Sequence, residues 1–174
     1  SLYALKPKVA RADAEDLPFG AGSFDVTYSN GVLHHTPDIA RSLSEQHRVL
    51  KSGGEVWVIL YHRNSIFYWF TLFLVEHLLY RGFRKRSFKE RLSMIEYTTS
   101  DARPLVNVYG RGQVRRMLRD AGFTVEALWV RKLVVEDLPG LPVIGRLWKH
   151  VPRSWLDAAG KRFGWYVIAR ARKP

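Results

Sequence analysis

At 174 residues the chain suffices for one ordinary domain around one core, and its 47% apolar content is that of a globular protein. The absence of cysteine excludes disulfides and thiolate metal sites and fits a reducing, cytoplasmic compartment. The net charge of +12 sits in one part of the chain: residues 1–60 hold six Lys/Arg against seven Asp/Glu, whereas 61–174 hold 22 against nine.

In chain order, residues 2–5 read as the last turn of a helix, closed by Lys6-Pro7. Val9-Ala10-Arg11-Ala12 reads as a short strand ending at Asp13, followed by a polar loop from Ala14 to Ser23. Phe24–Ser29 has the β-forming, apolar character of a buried strand, and Asn30-Gly31 marks the turn out of it. Thr36-Pro37-Asp38 signals a helix start, with Thr36 as the cap and Pro37 in the first helical position. Ile39, Leu43 and Leu50 fall near one face of that helix, which Gly53-Gly54 should end. Glu55–Tyr61 is a near-continuous apolar strand of the kind buried in a parallel sheet, so the three elements form a βαβ unit.

Ile66–Tyr80 is densely aromatic and aliphatic and ends in a basic cluster, Arg81, Arg84, Lys85 and Arg86. As a helix it would reach only about 22 Å, short of a ~30 Å hydrocarbon core, so a buried or interfacial helix is expected rather than a span. Gln113–Ala121 should be a helix with Val114, Met117, Leu118 and Ala121 inward, closed by Gly122. A strand is expected within Phe123–Val135, one or two short helices within 138–164, and a last strand over Trp165–Ala171.

Three blocks carry a specific resemblance. They are Ala12-Asp13-Ala14-Glu15-Asp16-Leu17-Pro18-Phe19 with Gly22-Ser23-Phe24-Asp25-Val26, then Asn30-Gly31-Val32-Leu33-His34-His35-Thr36-Pro37-Asp38, then His47-Arg48-Val49-Leu50-Lys51-Ser52-Gly53-Gly54. In this order and spacing the chain resembles the class I S-adenosylmethionine-dependent methyltransferases, in their small-molecule, type 11-like branch. The likeness is dense over residues 7–63 and weaker over 105–133 and 163–172. It implies an α/β fold with a Rossmann-like sheet in the order 3-2-1-4-5-7-6.

By that resemblance, Asp13 accepts a hydrogen bond from the adenine amine and the Ala14 N–H faces a ring nitrogen. Asn30 and Gly31 lie near the methionine part of the cofactor. His34 and His35 face the methyl-transfer site, where an imidazole could orient or deprotonate an acceptor; packing and capping in the loop is the competing role. Asp25 is assigned to structure. The family opens with a strand, a Gly-rich turn and a second strand, and residues 1–30 supply neither strand. The expectation is therefore an incomplete sheet, with strands 3 to 7 present and strands 1 and 2 missing, in an N-terminally truncated chain. Phe24–Ser29 should then become an exposed apolar edge, and the isolated chain should bind S-adenosylmethionine poorly.

Three segments follow from this reading: 1–63 as part of the cofactor-binding sheet, 64–108 as a helical lid insertion, and 109–174 as the elements that complete the domain. Tyr61, His62, Tyr68, Trp69 and Tyr109 are the expected lid and pocket residues, with Asn64 a further candidate. An apolar small-molecule acceptor is expected, and the basic flank of Ile66–Tyr80 suggests contact with a membrane surface. No metal site is expected. Nucleic-acid binding by the basic part is the weaker alternative, because its cations are scattered among apolar residues. A non-catalytic interaction protein built on the same sheet is the other.

Overall fold

The computed structural model describes residues 8–81, 84, 86–95, 104–141 and 144–174. The helical turn expected at residues 2–5 lies outside them. Four strands form one sheet: β1 (Phe24–Asn30), β2 (Leu50–Tyr61), β3 (Thr124–Arg131) and β4 (Tyr166–Arg172), in the spatial order β1-β2-β4-β3. β1 and β2 are parallel, while β4 runs antiparallel to both β2 and β3. This is the 4-5-7-6 half of the expected order.

The crossover between β1 and β2 is α1 (Ile39–Val49), which completes the βαβ unit. Its cap is Asp38, whose carboxylate accepts from the Arg41 N–H at 3.0 Å. Thr36 had been expected there, but its hydroxyl donates instead to the Leu33 carbonyl in the preceding 3₁₀ turn, Leu33–His35. The helix also stops earlier than Gly53-Gly54, because Leu50 already pairs with Phe24. The two glycines make a bulge inside β2: Gly53 has φ +77°, and a Cβ on Gly54 would lie 2.9 Å from the Lys51 carbonyl. Lys173 closes this corner, its ammonium donating to the His47 and Leu50 carbonyls at the end of α1.

α1 and α3 (Arg111–Asp120) cover one face of the sheet. Alternation sends Val56, Val58 and Leu60 into that face, where they meet Leu43, Val114, Leu118, Val167 and Ala169, all almost fully buried. α3 carries Val114 and Leu118 inward as its spacing predicts, and Gly122 ends it with φ +92°. On the opposite face Trp57 and Trp129 stack at 5.9 Å and Arg170 lies over the Trp57 ring.

In the first 30 residues one expectation changes and one holds. Val9–Ala12 forms no ladder, and Val9 is 88% exposed; an extended segment gains strand structure only from a neighbour, and no strand lies beside it among the described residues. β1 is consequently an edge strand. Its composition alone suggests a buried strand, but Val26 and Tyr28 are 54% and 63% exposed, as expected of the apolar edge left where strands 1 and 2 are not present among the described residues.

The aromatic segment is a helix over Phe67–Leu79 with wide, π-type winding, as in the bond from the Tyr80 N–H to the Val75 carbonyl. Among the described residues no helix is long and apolar enough to cross a membrane. With α2 (Phe88–Ser93) it forms a second apolar cluster at the carboxyl end of β2, where Leu72, Leu92, Val106 and Val108 meet Tyr61 and Trp165. A 3₁₀ segment (Ile144–His150) and α4 (Arg153–Phe163) complete this side.

Candidate active site

The loop that carries Asp13 and Ala14 is laid along α1 by charged groups. Glu15 accepts from the Asp38 N–H at 2.7 Å, and its carbonyl accepts from the Arg41 guanidinium. Further along, Arg48 donates to the Leu17 and Phe19 carbonyls and pairs with Glu45, which in turn holds the Leu17 N–H. The Arg48 guanidinium holds the Glu45 carboxyl down at about 2, so the clamp stays ionised well into acid. Ala14 packs on the core of the sheet and Asp13 lies exposed in the turn, its Oδ1 accepting from the Glu15 N–H. Both residues therefore sit beside the start of α1, on the carboxyl side of β1. Sequence reasoning had not given Glu15, Glu45 and Arg48 this role; the signal available was the placement of Arg48 in the third block.

β1 ends at Asn30, which is exposed, and Gly31 turns the chain with φ +73°. A Cβ on Gly31 would meet nothing within 4 Å, so the backbone there is open to approach. Ser29 is 5% exposed and its hydroxyl has no hydrogen-bond partner.

His34 and His35, adjacent in sequence, occupy opposite environments. His34 is completely buried, with its ring centroid 4.0 Å from that of Tyr61 and 4.1 Å from that of His35. Neither of its ring nitrogens has a hydrogen-bond partner, and burial, reinforced by the neighbouring His35, pushes its pKa down to about 3. His35 is half-buried, and its Nδ1 lies 2.7 Å from the Leu105 carbonyl. A carbonyl only accepts, so Nδ1 carries a proton, which leaves Nε2 as the position for a lone pair in the neutral tautomer.

Tyr61 meets this pair through His34, and next to Tyr61 His62 bridges to Tyr109. The Tyr109 N–H donates to the Tyr61 carbonyl, the Arg63 N–H donates to the Tyr109 carbonyl, and the Tyr61 ring stacks on Trp165 at 4.4 Å. His62 is buried, with Nδ1 donating to the Gly164 carbonyl at 3.0 Å, and burial lowers its pKa. Burial raises the Tyr109 phenol. The backbone between residues 105 and 109 closes the group, for the Asn107 N–H donates to the His34 carbonyl at 2.9 Å.

Tyr68 and Trp69 lie on the aromatic helix, Tyr68 packing on the cluster that contains Tyr61 and Trp165. Tyr68 packs edge-on against Phe88, and Trp69 is half exposed. Trp69 lines a cavity of about 580 Å³ with Asn64, Ser65, Ile66, Phe70, Leu138, Pro139, Trp148 and Phe163. The lining is almost wholly apolar and includes neither His35 nor Tyr61; Asn64 lies two residues after His62, and Phe163 precedes Gly164, whose carbonyl accepts from His62. The contributions of Leu138, Trp148 and Phe163 were not foreseen, since no local pattern links them to residues 64–70. Among the described residues no group of His, Asp and Glu side chains could hold a metal ion.

A family described as a methyltransferase domain matches residues 2–58. Over 62 residues the chain is 40% identical to a 2-phytyl-1,4-naphthoquinone methyltransferase of Nostoc punctiforme, covering 34% of this chain and 27% of that protein. Over 48 residues it is 48% identical to a ubiquinone/menaquinone biosynthesis C-methyltransferase of Rhizobium johnstonii, covering 28% and 19% respectively. The aligned stretches thus span about a quarter or less of these relatives. In fold, the chain superimposes on S-adenosylmethionine-dependent methyltransferases from Thermotoga maritima (TM-score 0.56, 22% identity, 96% of this chain and 64% of that one) and Mesorhizobium loti (TM-score 0.55, 19% identity, 94% and 68%). The chain thus has the fold of the class I S-adenosylmethionine-dependent methyltransferases, and its residues 2–58 match the methyltransferase-domain family.

Proposed function

We propose that the protein transfers a methyl group from S-adenosylmethionine to a small acceptor bearing a hydrocarbon tail. The reading is supported by the family-matched segment, which carries the half-buried His35 just after β1, and by the separate apolar cavity lined by residues that follow β2. The residues present fit one side of the cofactor. Gly31 leaves open space at the end of β1, Asn30 beside it is exposed, and Asp13 is exposed in its own turn. When bound, S-adenosylmethionine supplies a methyl group activated by its sulfonium. The protein's own part is to accept the adenine amine on Asp13, present the Ala14 N–H to the ring, and align the acceptor while excluding water.

His35 suits the proton-accepting role better than His34. Its Nε2 lone pair is fixed by the bond from Nδ1 to Leu105, whereas the His34 ring is enclosed by Tyr61 and His35. The lid cavity would hold the tail, with Trp69 at its wall and the reacting head directed past His62. Relatives named for phytyl quinones and hydroquinones favour a prenylated quinol as the acceptor.

Two measurements test this. Titration with millimolar S-adenosylhomocysteine, followed by NMR, should shift the amides of Asp13, Ala14, Asn30 and Gly31 with the weak affinity expected where only one side of the cofactor is held, while leaving α4 unmoved. Transfer of labelled methyl to a prenylated hydroquinone should fall by a factor of roughly 100 in His35→Gln and much less in His34→Phe. Unmoved amides at these positions under millimolar ligand would overturn the cofactor assignment, and equal effects of the two histidine variants would overturn the choice of base.

A further inference from the structure

The aromatic helix and the segment 144–163 are far apart in sequence but are knitted into one surface. The Thr71 hydroxyl donates to the Asp137 carbonyl at 2.6 Å, the Trp148 indole to the Pro139 carbonyl at 2.9 Å, and the Tyr80 hydroxyl to the Gly140 carbonyl at 3.3 Å. These bonds hold the apolar cavity open between the two segments. Around it, large apolar side chains lie in water: Trp69 is 50% exposed, Phe70 46%, Leu79 59%, Leu147 60% and Phe163 41%. A soluble surface rarely gathers so much aromatic and aliphatic area in one place without a partner.

The charges around this patch are mostly positive, and Glu76 on the aromatic helix is paired with Arg91. Residues 144–163 carry Arg146, Lys149, Arg153, Lys161 and Arg162 against the single acid Asp157, and the five cations are exposed. Arg162 lies over the Phe163 ring at the cavity wall, and Arg81 follows the far end of the aromatic helix. Apolar rings projecting between exposed Lys and Arg suit an anionic bilayer: the rings sit among the acyl chains and the cations reach lipid phosphates. A protein partner would need complementary acidic pockets, and nothing here favours that over a fluid anionic sheet.

We infer that this bipartite surface, the Phe67–Leu79 helix together with residues 144–163, docks on an anionic membrane with the mouth of the apolar cavity facing the lipid. The protein would then take a hydrocarbon tail directly from the bilayer. The docking itself rests on neither the cofactor nor the methyl-transfer reading.

Co-sedimentation with vesicles tests it without cofactor or acceptor. The protein should bind vesicles of equal parts phosphatidylcholine and phosphatidylglycerol, bind phosphatidylcholine alone at least tenfold more weakly, and be released by salt. The double variant Arg146→Gln/Lys149→Gln should lower binding about thirtyfold, each cation near the surface counting for somewhat over half a decade. Leu147→Ser should weaken binding to the same vesicles with an unchanged melting temperature, because that side chain already lies in water. Quenching of Trp69 fluorescence by brominated lipid should accompany binding. Equal binding to both vesicle types, no binding at all, or full binding by the double variant would overturn the proposal. So would a Leu147→Ser variant that changes oligomeric state while retaining vesicle affinity, since that would assign the patch to protein contact.

Discussion

The core between the sheet and helices α1 and α3 is assembled differently from the aromatic cluster at the sheet's rim. In the core, every second residue of β2 and β4 points the same way, and Val56, Val58, Leu60, Val167 and Ala169 are all at most 1% exposed. At the rim, apolar residues surround the whole aromatic helix, several of them remain in water, and position is set by single polar bonds such as Thr71 to Asp137. Periodic burial makes a core that resists any cavity. Tethering by isolated hydrogen bonds makes a wall that leaves a cavity and tolerates change around it. The difference teaches that hydrophobicity alone does not tell which part of a molecule is its interior.

Four substitutions probe that contrast. Leu118→Ala, in the periodic core, should cost about 3–4 kcal/mol of unfolding free energy in a urea titration, since its neighbours cannot collapse into the space. Gly164→Ala strikes the joint between the two regions: a methyl group there would collide with the Arg131 carbonyl and shift the carbonyl that holds His62. A loss of about 2–3 kcal/mol is expected, and a neutral result would show that the rim moves independently of β3.

His34→Phe should go the other way. Two buried nitrogens without partners are removed while the stack on Tyr61 is kept, so stability at neutral pH should rise by about 1–2 kcal/mol. The pH dependence carries its own signature. His34 titrates near 3 when folded and near 6.5 when unfolded, so below 6.5 the unfolded chain takes up a proton that the folded one refuses. Stability therefore falls as pH drops from 6.5 towards 3, by up to about 1.4 kcal/mol per pH unit from this group. The Phe variant should lose that slope in melts across the window. The smallest effect is expected for Trp69→Ala at the rim, within about 0.5 kcal/mol in stability. Its acceptor KM should nevertheless rise several-fold, which a purely decorative side chain would not produce.

The βαβ unit was legible because its signals are local: a β-rich run, a cap-forming Asp38, an amphipathic helix and an apolar strand follow within 38 residues. Even there, the Gly53-Gly54 pair read as a helix stop when it serves a bulge, since a glycine pair permits both and only the pairing of Leu50 with Phe24 decides. Val9–Ala12 failed as a strand for a non-local reason, the lack of a bonded neighbour. The two histidines mark the limit of sequence reading at the site. They are chemically identical neighbours, and only the ring of Tyr61 and the carbonyl of Leu105, brought from 27 and 70 residues away, give them different environments. The cavity is further still from sequence, because it joins residues 64–70 to 138–163.

Lys173 and the strand before it have a temporal consequence. β4 fits between β2 and β3, so during synthesis β2 has no second neighbour until β4, more than 100 residues further on, has left the ribosome. The carbonyls of His47 and Leu50 likewise wait for an ammonium 126 and 123 residues downstream. Val56–Leu60 therefore emerges more than 100 residues before the strand that completes its pairing, the interval in which a holding chaperone would matter most.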